Sequence, residues 1–161
     1  MEITSRLTEN DFIRVNFSML YGKGLTKGMT VIGLLMLIVA IAGTFVAHMG
    51  NPLPQWFFAV ALLLGVPLST YLSARRNYRT NARVSETITY RFHPDHLEMQ
   101  GESFYTTLTW DKWYRVTGTG RFLLFWQNAQ VANVLPKRDF TPEQLLQLKQ
   151  LLQAQGVRHR L

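Results

Sequence analysis

From Gly28 to Ala74 the chain reads GMTVIGLLMLIVAIAGTFVAHMGNPLPQWFFAVALLLGVPLSTYLSA and contains no Lys, Arg, Asp or Glu. The turn-forming run Gly50-Asn51-Pro52-Leu53-Pro54 interrupts this stretch near its middle. Each half is close to the roughly 20 apolar residues that a helix needs to cross a hydrocarbon core about 30 Å thick. The stretch therefore predicts a membrane hairpin of two transmembrane helices, over about 29–49 and 55–74.

Two other interpretations of the apolar stretch are disfavoured. A chain of 161 residues has little room to enclose two helices that are apolar on every face, which argues against a buried helical pair of a soluble protein. A cleaved signal peptide fits poorly, because the segment before the first span is long and includes Glu2, Glu9 and Asp11.

Basic side chains flank the hairpin at both ends, whereas the connecting loop is uncharged. They are Lys23 and Lys27 before it, and Arg75, Arg76, Arg79 and Arg83 after it. Lys and Arg beside a membrane span stay on the cytoplasmic side, so both termini are expected in the cytoplasm. Apart from tyrosine, His48 is the one ionisable side chain within the spans. Because ion and proton pathways need ionisable groups at membrane depth, transport through this hairpin is not expected.

Small residues recur at four-residue spacing within the spans. The candidates for helix packing are Gly43 with Ala47, and Gly65, Ser69 and Ser73 in a row. Such spacing lets two helices approach closely, either within the hairpin or in a dimer or larger bundle. Pro67 removes a backbone donor and predicts a kink in the second helix.

The positive charge of the chain is concentrated beside the hairpin. The net charge is +7, yet residues 84–161 are nearly balanced, with nine basic against seven acidic side chains. Arg75, Arg79 and Arg83 are predicted to share one helical face. They act there as an orientation anchor or as contacts to an anionic leaflet, each worth about 1 kcal/mol. Nucleic-acid binding is not expected.

The remainder of the chain predicts a domain of strands that ends in a helix. Alternating apolar residues and turn signals place strands at about 87–93, 97–99, 104–110, 114–117, 121–127 and 130–135. Thr141, Pro142 and Gln144 are typical of a helix start, and Leu145, Leu148 and Leu152 follow at helical spacing. Residues 3–7 predict one more strand, and Thr8 to Asp11 cap an amphipathic helix that runs to about Tyr21 and lies on the membrane surface or the soluble domain.

These features divide the chain into four segments. Residues 1–27 hold the N-terminal strand and amphipathic helix, 28–74 the transmembrane hairpin, 75–83 a basic juxtamembrane segment, and 84–161 a cytosolic domain. The fold class is a membrane α-helical hairpin joined to an α+β domain. That domain is an antiparallel meander of six strands, or seven if residues 3–7 join it, capped by the C-terminal helix.

The chain resembles the YcxB-like family of bacterial membrane proteins along nearly its whole length. The residues that carry the resemblance are the turn Phe92-His93-Pro94-Asp95-His96-Leu97, Trp110 ahead of Val116, the strand Phe122 to Trp126, and Val134-Leu135-Pro136-Lys137-Arg138-Asp139-Phe140. The resemblance implies a pleckstrin-homology-like (PH-like) fold, a bent barrel of seven strands plugged by a helix. It also implies the bacterial inner membrane, and it supplies no catalytic residues.

The sequence offers little for catalysis or for a cofactor. Cysteine is absent, which excludes thiolate chemistry. His93-Pro94-Asp95-His96 is the one cluster of metal-ligating residue types, but its spacing suits a turn and no third ligand follows at a matching interval, so we expect no metal site. We therefore expect a protein that is not an enzyme and needs no cofactor.

Two functions remain. In the first, the chain is a membrane-anchored binding or assembly module whose PH-like domain engages a protein partner or an anionic headgroup. Its candidate contacts are Lys137, Arg138, Arg121, Arg75, Arg79 and Arg83. In the second, it is a structural subunit of a multi-protein membrane complex that docks through its hairpin. Expected partners are membrane lipids, an unidentified membrane or cytosolic protein, and possibly a second copy of the chain.

Overall fold

The computed structural model of the protein describes residues 1–46 and 50–161. The expectations for Ala47 in helix packing and for His48 as an ionisable group lie outside the described residues. The chain divides into two compact units. The sheet unit comprises Met1–Phe12 and Tyr78–Leu161, and the helical unit comprises Ile13–Asn77.

Helix α1 spans Glu9–Tyr21 and begins with a reciprocal cap. The backbone N–H of Asp11 donates to Thr8 Oγ1 at 3.2 Å, and the N–H of Thr8 donates to the Asp11 carboxylate at 3.1 Å. Each side chain thus satisfies a backbone donor that the first helical turn leaves without a partner. The predicted start of this helix is confirmed.

Two long apolar helical stretches follow. The first is α2, Gly24–Phe45; the second runs unbroken through α3 (Leu53–Val60), a π-helical turn (Ala61–Gly65) and α4 (Val66–Thr80). Both are long and apolar enough to cross a membrane, with mean hydropathies of 2.3 and 1.8. Only 11% of each apolar window is buried within the chain. Two long apolar helices are thus present where the sequence predicts them, and most of their apolar surface has no cover from the chain itself.

The π-helical turn lies directly before Pro67. The N–H of Val66 donates to the carbonyl of Ala61, five residues back instead of four. Proline has no N–H to offer the carbonyl four residues earlier, and a widened turn is one way in which a helix accommodates that loss. The irregularity predicted for Pro67 therefore appears as a π-turn in the residues that precede it.

The helical unit is packed most closely where small residues meet large ones. A Cβ atom added at Gly33 would lie 2.9 Å from Cδ2 of Leu63 and 3.1 Å from Cβ of Leu62. Ala40 and Ala59 are fully buried. The close approach within the hairpin is therefore made at Gly33, which the spacing of small residues did not single out.

The first sheet is antiparallel and contains β1 to β4 in that order. Its strands are β1 (Glu2–Arg6), β2 (Thr87–Phe92), β3 (His96–Gln100) and β4 (Tyr105–Thr109). In the β1–β2 pairing Glu2 lies opposite Arg91 and Arg6 lies opposite Thr87. The N-terminal strand predicted at residues 3–7 is present and joins the meander, an arrangement that the sequence had left open, across all the helical sequence that separates it from β2.

The second sheet has the order β7-β6-β5-β8. Its strands are β5 (Arg115–Gly118), β6 (Phe122–Trp126), β7 (Ala132–Pro136) and β8 (His159–Arg160). Every residue of β6 is buried, as its continuous apolar run predicts. Strand β8 was not predicted; it pairs in parallel with β5, and Val116 lies opposite His159.

Helix α6, Pro142–Ala154, covers the core of the sheet unit. The Thr141 side chain accepts from the N–H of Gln144 at 3.3 Å, and the Gln144 side chain accepts from the N–H of Thr141 at 2.9 Å. Leu148 and Leu152 are fully buried against residues from both sheets. The capping box and the buried leucine stripe confirm the predicted C-terminal helix.

The division of the strands into two sheets is a second difference from the predicted antiparallel meander, beside the parallel strand β8. The chain leaves β4 through a 3₁₀ turn at Trp110–Lys112, and the described residues form two four-stranded sheets with no closed barrel. Trp110 is buried and its indole N–H donates to the carbonyl of His93 at 3.1 Å. The alternation that predicted a strand up to Trp110 therefore ends at a tryptophan that anchors the turn between the sheets.

Candidate functional site

A cavity of about 390 Å³ lies in the sheet unit, beside the first sheet. Four parts of the chain line it: strands β1 to β4, Leu7 with Phe12 of α1, the segment 81–86 with the short helix α5 (Ala82–Ser85), and the β6–β7 hairpin. Its volume falls within the range of about 300–1,000 Å³ typical of ligand pockets. This cavity is the candidate functional site.

The floor of the cavity is apolar. Tyr90 and Met99 are each 3% exposed, and Ile88, Phe104 and Val134 contribute half-buried surface. Burial raises the pKa of the Tyr90 hydroxyl, so that this group stays neutral. The floor therefore suits an apolar group.

One cation and one anion border the cavity. The Arg83 guanidinium carbon lies 5.4 Å from the centre of the Phe104 ring, within the range of a cation–π contact. The Glu86 carboxylate accepts a hydrogen bond from the N–H of Ser103 at 3.1 Å, and its hydrogen bonds with Ser103 lower the pKa of Glu86. Glu86 is thus engaged with the backbone of Ser103, whereas Arg83 is exposed at the border.

Gly101 makes room for this arrangement. A Cβ atom there would lie 2.7 Å from the Glu86 carboxylate and 2.5 Å from the Phe104 ring. Contacts this short do not occur in folded proteins, so any larger residue would displace the two side chains that border the cavity. The glycine is therefore part of the construction of the site.

Among the basic residues singled out in the sequence, Arg138 has an internal partner. Its Nη1 and Nη2 donate to the two carboxylate oxygens of Asp11 at 2.9 and 2.6 Å. The Asp11 side chain is 8% exposed, and its bond with Arg138 is the main reason that the pKa of Asp11 falls to about 2. Arg138 thereby joins the start of α1 to the 3₁₀ turn Lys137–Asp139 that follows β7.

Lys137 and Arg121 lie side by side. The N–H of Lys137 donates to the carbonyl of Arg121 at 2.8 Å, and the Arg121 side chain is exposed. Neither residue lines the cavity. Together they place two positive charges on a different part of the sheet unit.

The arginines after the hairpin do not lie on a single helix. Helix α4 ends at Thr80 and Asn81 has extended backbone angles, so Arg83 belongs to the separate helix α5. The predicted single helical face is wrong for this reason. Arg75 lies in the helical unit, Arg79 pairs with Glu9 at 3.4 Å, and Arg83 borders the cavity.

The small residues of the second helical stretch are exposed. Gly65, Ser69 and Ser73 all lie at the surface of the chain, and a Cβ atom at Gly65 would meet nothing within 4 Å. Ser69 and Ser73 line a second, polar cavity of about 260 Å³ that also includes Asn16. Gly43 is half-buried. The packing of the described hairpin thus leaves the row from Gly65 to Ser73 unused.

One residue group was missed in the sequence. The structure brings Glu98 to His93 and His96, at the turn between β2 and β3. Residues two apart in a strand share a face, so the strand pattern of β3 already placed Glu98 beside His96. The interval from His93 to His96 to Glu98 matches no known metal-binding motif, so spacing alone did not indicate Glu98 as a third ligand.

Residues 92–152 match the sequence model of the YcxB-like protein family. The match begins at the end of β2 and ends within α6, so it covers most of the sheet domain and none of the helical unit. Comparisons with the curated proteins and with the solved structures gave no match.

Proposed function

We propose that this protein is a membrane-anchored binding module without catalytic activity. The two long apolar helices hold it in a bilayer, and the sheet domain presents the cavity beside Arg83 to a partner. The observation that carries the proposal is this cavity, in which an apolar floor is combined with an exposed cation at the border. An apolar floor with a few placed polar groups is the usual composition of a binding site.

The order of elements supports a PH-like domain. Four antiparallel strands, three more antiparallel strands and a helix follow one another, with the helical unit inserted between β1 and β2. The match to the YcxB-like family over 92–152 spans strands β3 to β7 and most of helix α6, and the PH-like fold is what a resemblance to that family implies. Domains of this kind act by binding protein segments or anionic headgroups, and we assign the same two classes of partner here.

The basic residues outside the cavity are not equally available to contact an anionic partner. Arg138 is held by Asp11, so its charge is largely balanced inside the domain. Lys137 with Arg121 forms a second candidate contact for an anionic partner. We assign both termini to the cytoplasm, on the inner side of a bacterial cytoplasmic membrane; the uncharged loop and the flanking basic residues support this orientation.

Site-specific photo-crosslinking in native membranes tests the cavity. A photoreactive residue replaces Val131, which lines the cavity and is 51% exposed, or Leu146 on α6, which is 58% exposed and lies outside it. We expect an adduct of defined mass from position 131 and none from position 146. The mass of the adduct separates a protein partner from a lipid.

The charge at the border is tested in the same system. Arg83→Glu in the chain that carries the photoreactive residue at 131 is expected to lower the adduct yield several-fold. Lys149→Glu, at an exposed position of α6 outside the cavity, is expected to leave the yield unchanged. Equal yields from positions 131 and 146 would show that the cavity is not the binding site.

A separate observation supports the second function, docking of the hairpin within a membrane complex. Gly65, Ser69 and Ser73 form an exposed row that the hairpin does not use, which suits docking against another membrane helix in a larger complex or a second copy of the chain. Gly65→Leu with Ser69→Leu is then expected to abolish co-purification of the partner, while Val60→Leu is neutral. Retention of the partner by the doubly substituted chain would exclude this function.

A further inference from the structure

The turn between β2 and β3 brings together three side chains that ligate metals. They are His93, His96 and Glu98, and one ligand atom from each lies within 4.8 Å of the others. This cluster is not among the residues that line the cavity. It is therefore a separate feature that the proposed function leaves unused.

Two of the three distances within the cluster are close to those of a metal site, and the third is at most 4.8 Å. Nε2 of His96 lies 3.2 Å from Oε1 of Glu98, and Nε2 of His93 lies 3.7 Å from the same oxygen. Ligands at about 2.0–2.1 Å from a tetrahedral zinc ion are about 3.4 Å apart. The cluster needs only small side-chain movements to place all three atoms around one ion.

The local backbone explains why these side chains meet. His96 and Glu98 are two residues apart in β3 and share a face of the sheet. His93 lies across the turn, where its N–H donates to the carbonyl of His96 at 2.9 Å. The two imidazole rings stack with centres 4.5 Å apart. The turn thus fixes the rings before any ion binds.

Asp95 orients one of the ligands. Its carboxylate lies 2.8 Å from Nδ1 of His96, on the opposite side of the ring from Nε2. When Nδ1 donates its proton to Asp95, Nε2 is left as the ligand atom for an ion beside Glu98. A carboxylate on the second nitrogen of a ligating histidine is the usual outer partner in zinc sites. Asp95 is in this sense a positioning residue.

His93 supplies the second nitrogen. Its Nε2 atom is shielded from solvent and has no hydrogen-bond partner among the residues that the structure describes. A buried polar atom without a partner costs free energy, and a metal ion would satisfy it.

The nearby cation leaves the required oxygen accessible. Arg91 approaches the other oxygen of Glu98, Oε2, at 3.8 Å, and its closer contacts are to Glu2 at 3.0 Å and Gln100 at 2.9 Å. The carboxylates of Asp95 and Glu98 lie 2.8 and 3.2 Å from the two ring nitrogens of His96. This concentration of negative charge favours a cation at the same place.

We propose that His93, His96 and Glu98 form a binding site for a divalent transition-metal ion, with zinc as the best match to two imidazoles and one carboxylate. Three protein ligands leave a fourth position of a tetrahedral ion for water or for a group from a partner. The inference concerns metal binding alone and does not depend on the function of the cavity.

Zinc titration of the full chain in detergent micelles tests the site, with any affinity tag removed and Zn²⁺ alone as the probe. We expect one Zn²⁺ per chain, and at least a tenfold loss of affinity in the variant His93→Asn/His96→Asn. The matched control is His48→Asn/His159→Asn, which removes the same number of histidines elsewhere and is expected to bind as the natural chain does.

The positioning role of Asp95 has a separate measurement. Asp95→Asn is expected to lower the affinity about 10- to 100-fold while the stoichiometry stays at one ion per chain. Co²⁺ in place of Zn²⁺ is expected to give the visible absorption of a tetrahedral ion in the natural chain and in the control. Circular dichroism without metal shows whether each variant is folded. Equal zinc affinities in the two double variants, both folded, would overturn the proposal.

Discussion

Arg138 shows how the structure changes the meaning of a basic residue. In the sequence it stands beside Lys137 as a surface charge, but in the fold both ends of its guanidinium meet Asp11, more than a hundred positions earlier. The carboxylate is almost enclosed, so the pair is better shielded from solvent than an ordinary surface ion pair. Arg138, which the sequence suggested as a contact for a binding partner, thus stabilises the fold instead.

The same pair gives the sheet domain a defined dependence on acid. The pKa of Asp11 is about 2 in the folded chain, against 3.8 for the unfolded one. Because the folded pKa is the lower, the stabilisation is complete above about pH 4 and is lost as the pH falls toward 2. The difference corresponds to about 2 kcal/mol. Urea unfolding of the full chain in micelles, followed by tryptophan fluorescence, measures it.

Arg138→Gln is expected to remove most of this pH dependence, because the hydrogen bond from Arg138 is the main cause of the shift. Arg121→Gln is the control, since it removes an exposed arginine of the same domain. A pH profile that is unchanged by Arg138→Gln would show that the pair does not act in this way.

The roles of Glu98 and Gly33 could not be predicted from the sequence positions alone. Both were visible in the sequence, yet their roles depend on neighbours that only the fold supplies. Glu98 meets His93 across a turn, and Gly33 meets Leu63 across the hairpin. Local patterns give the face on which a residue lies, but not which other element faces it.

The elements themselves were more predictable than their partners. Strands β2, β6 and helix α6 follow from alternation, from a continuous apolar run and from a capping box, each a signal carried by neighbouring residues. Strand β8 was missed because two residues, His159 and Arg160, carry no pattern and are held by pairing with β5. The break between the sheets was missed because Trp110 continues the alternation of β4 into a turn.

The close contact of Gly33 with Leu62 and Leu63 in the helical hairpin can be tested by two matched substitutions. Gly33→Val is expected to destabilise the hairpin by about 1–3 kcal/mol, because the added carbons meet Leu62 and Leu63. Gly65→Val adds the same atoms where nothing lies within 4 Å. Helix content during titration of detergent micelles with sodium dodecyl sulfate measures both. Equal losses of helix content in the two variants would show that the hairpin is not packed most closely at Gly33.

The arrangement of the protein in the membrane is open to direct measurement, because the chain contains no cysteine. With both termini in the cytoplasm, Asn51→Cys in the hairpin loop is expected to react with a membrane-impermeant maleimide in intact spheroplasts. Glu102→Cys, between β3 and β4, is expected to react only after permeabilisation. The opposite pattern would reverse the proposed orientation.

The pairing of β1 with β2 has a consequence for how the protein is made. The two strands are neighbours in one sheet, yet the whole hairpin is synthesised between them. If the hairpin spans a bilayer as proposed, a chain whose second helix failed to insert would carry β1 and β2 on opposite sides, so that β1 could not pair with β2. A complete first sheet is then expected only in chains that make both crossings.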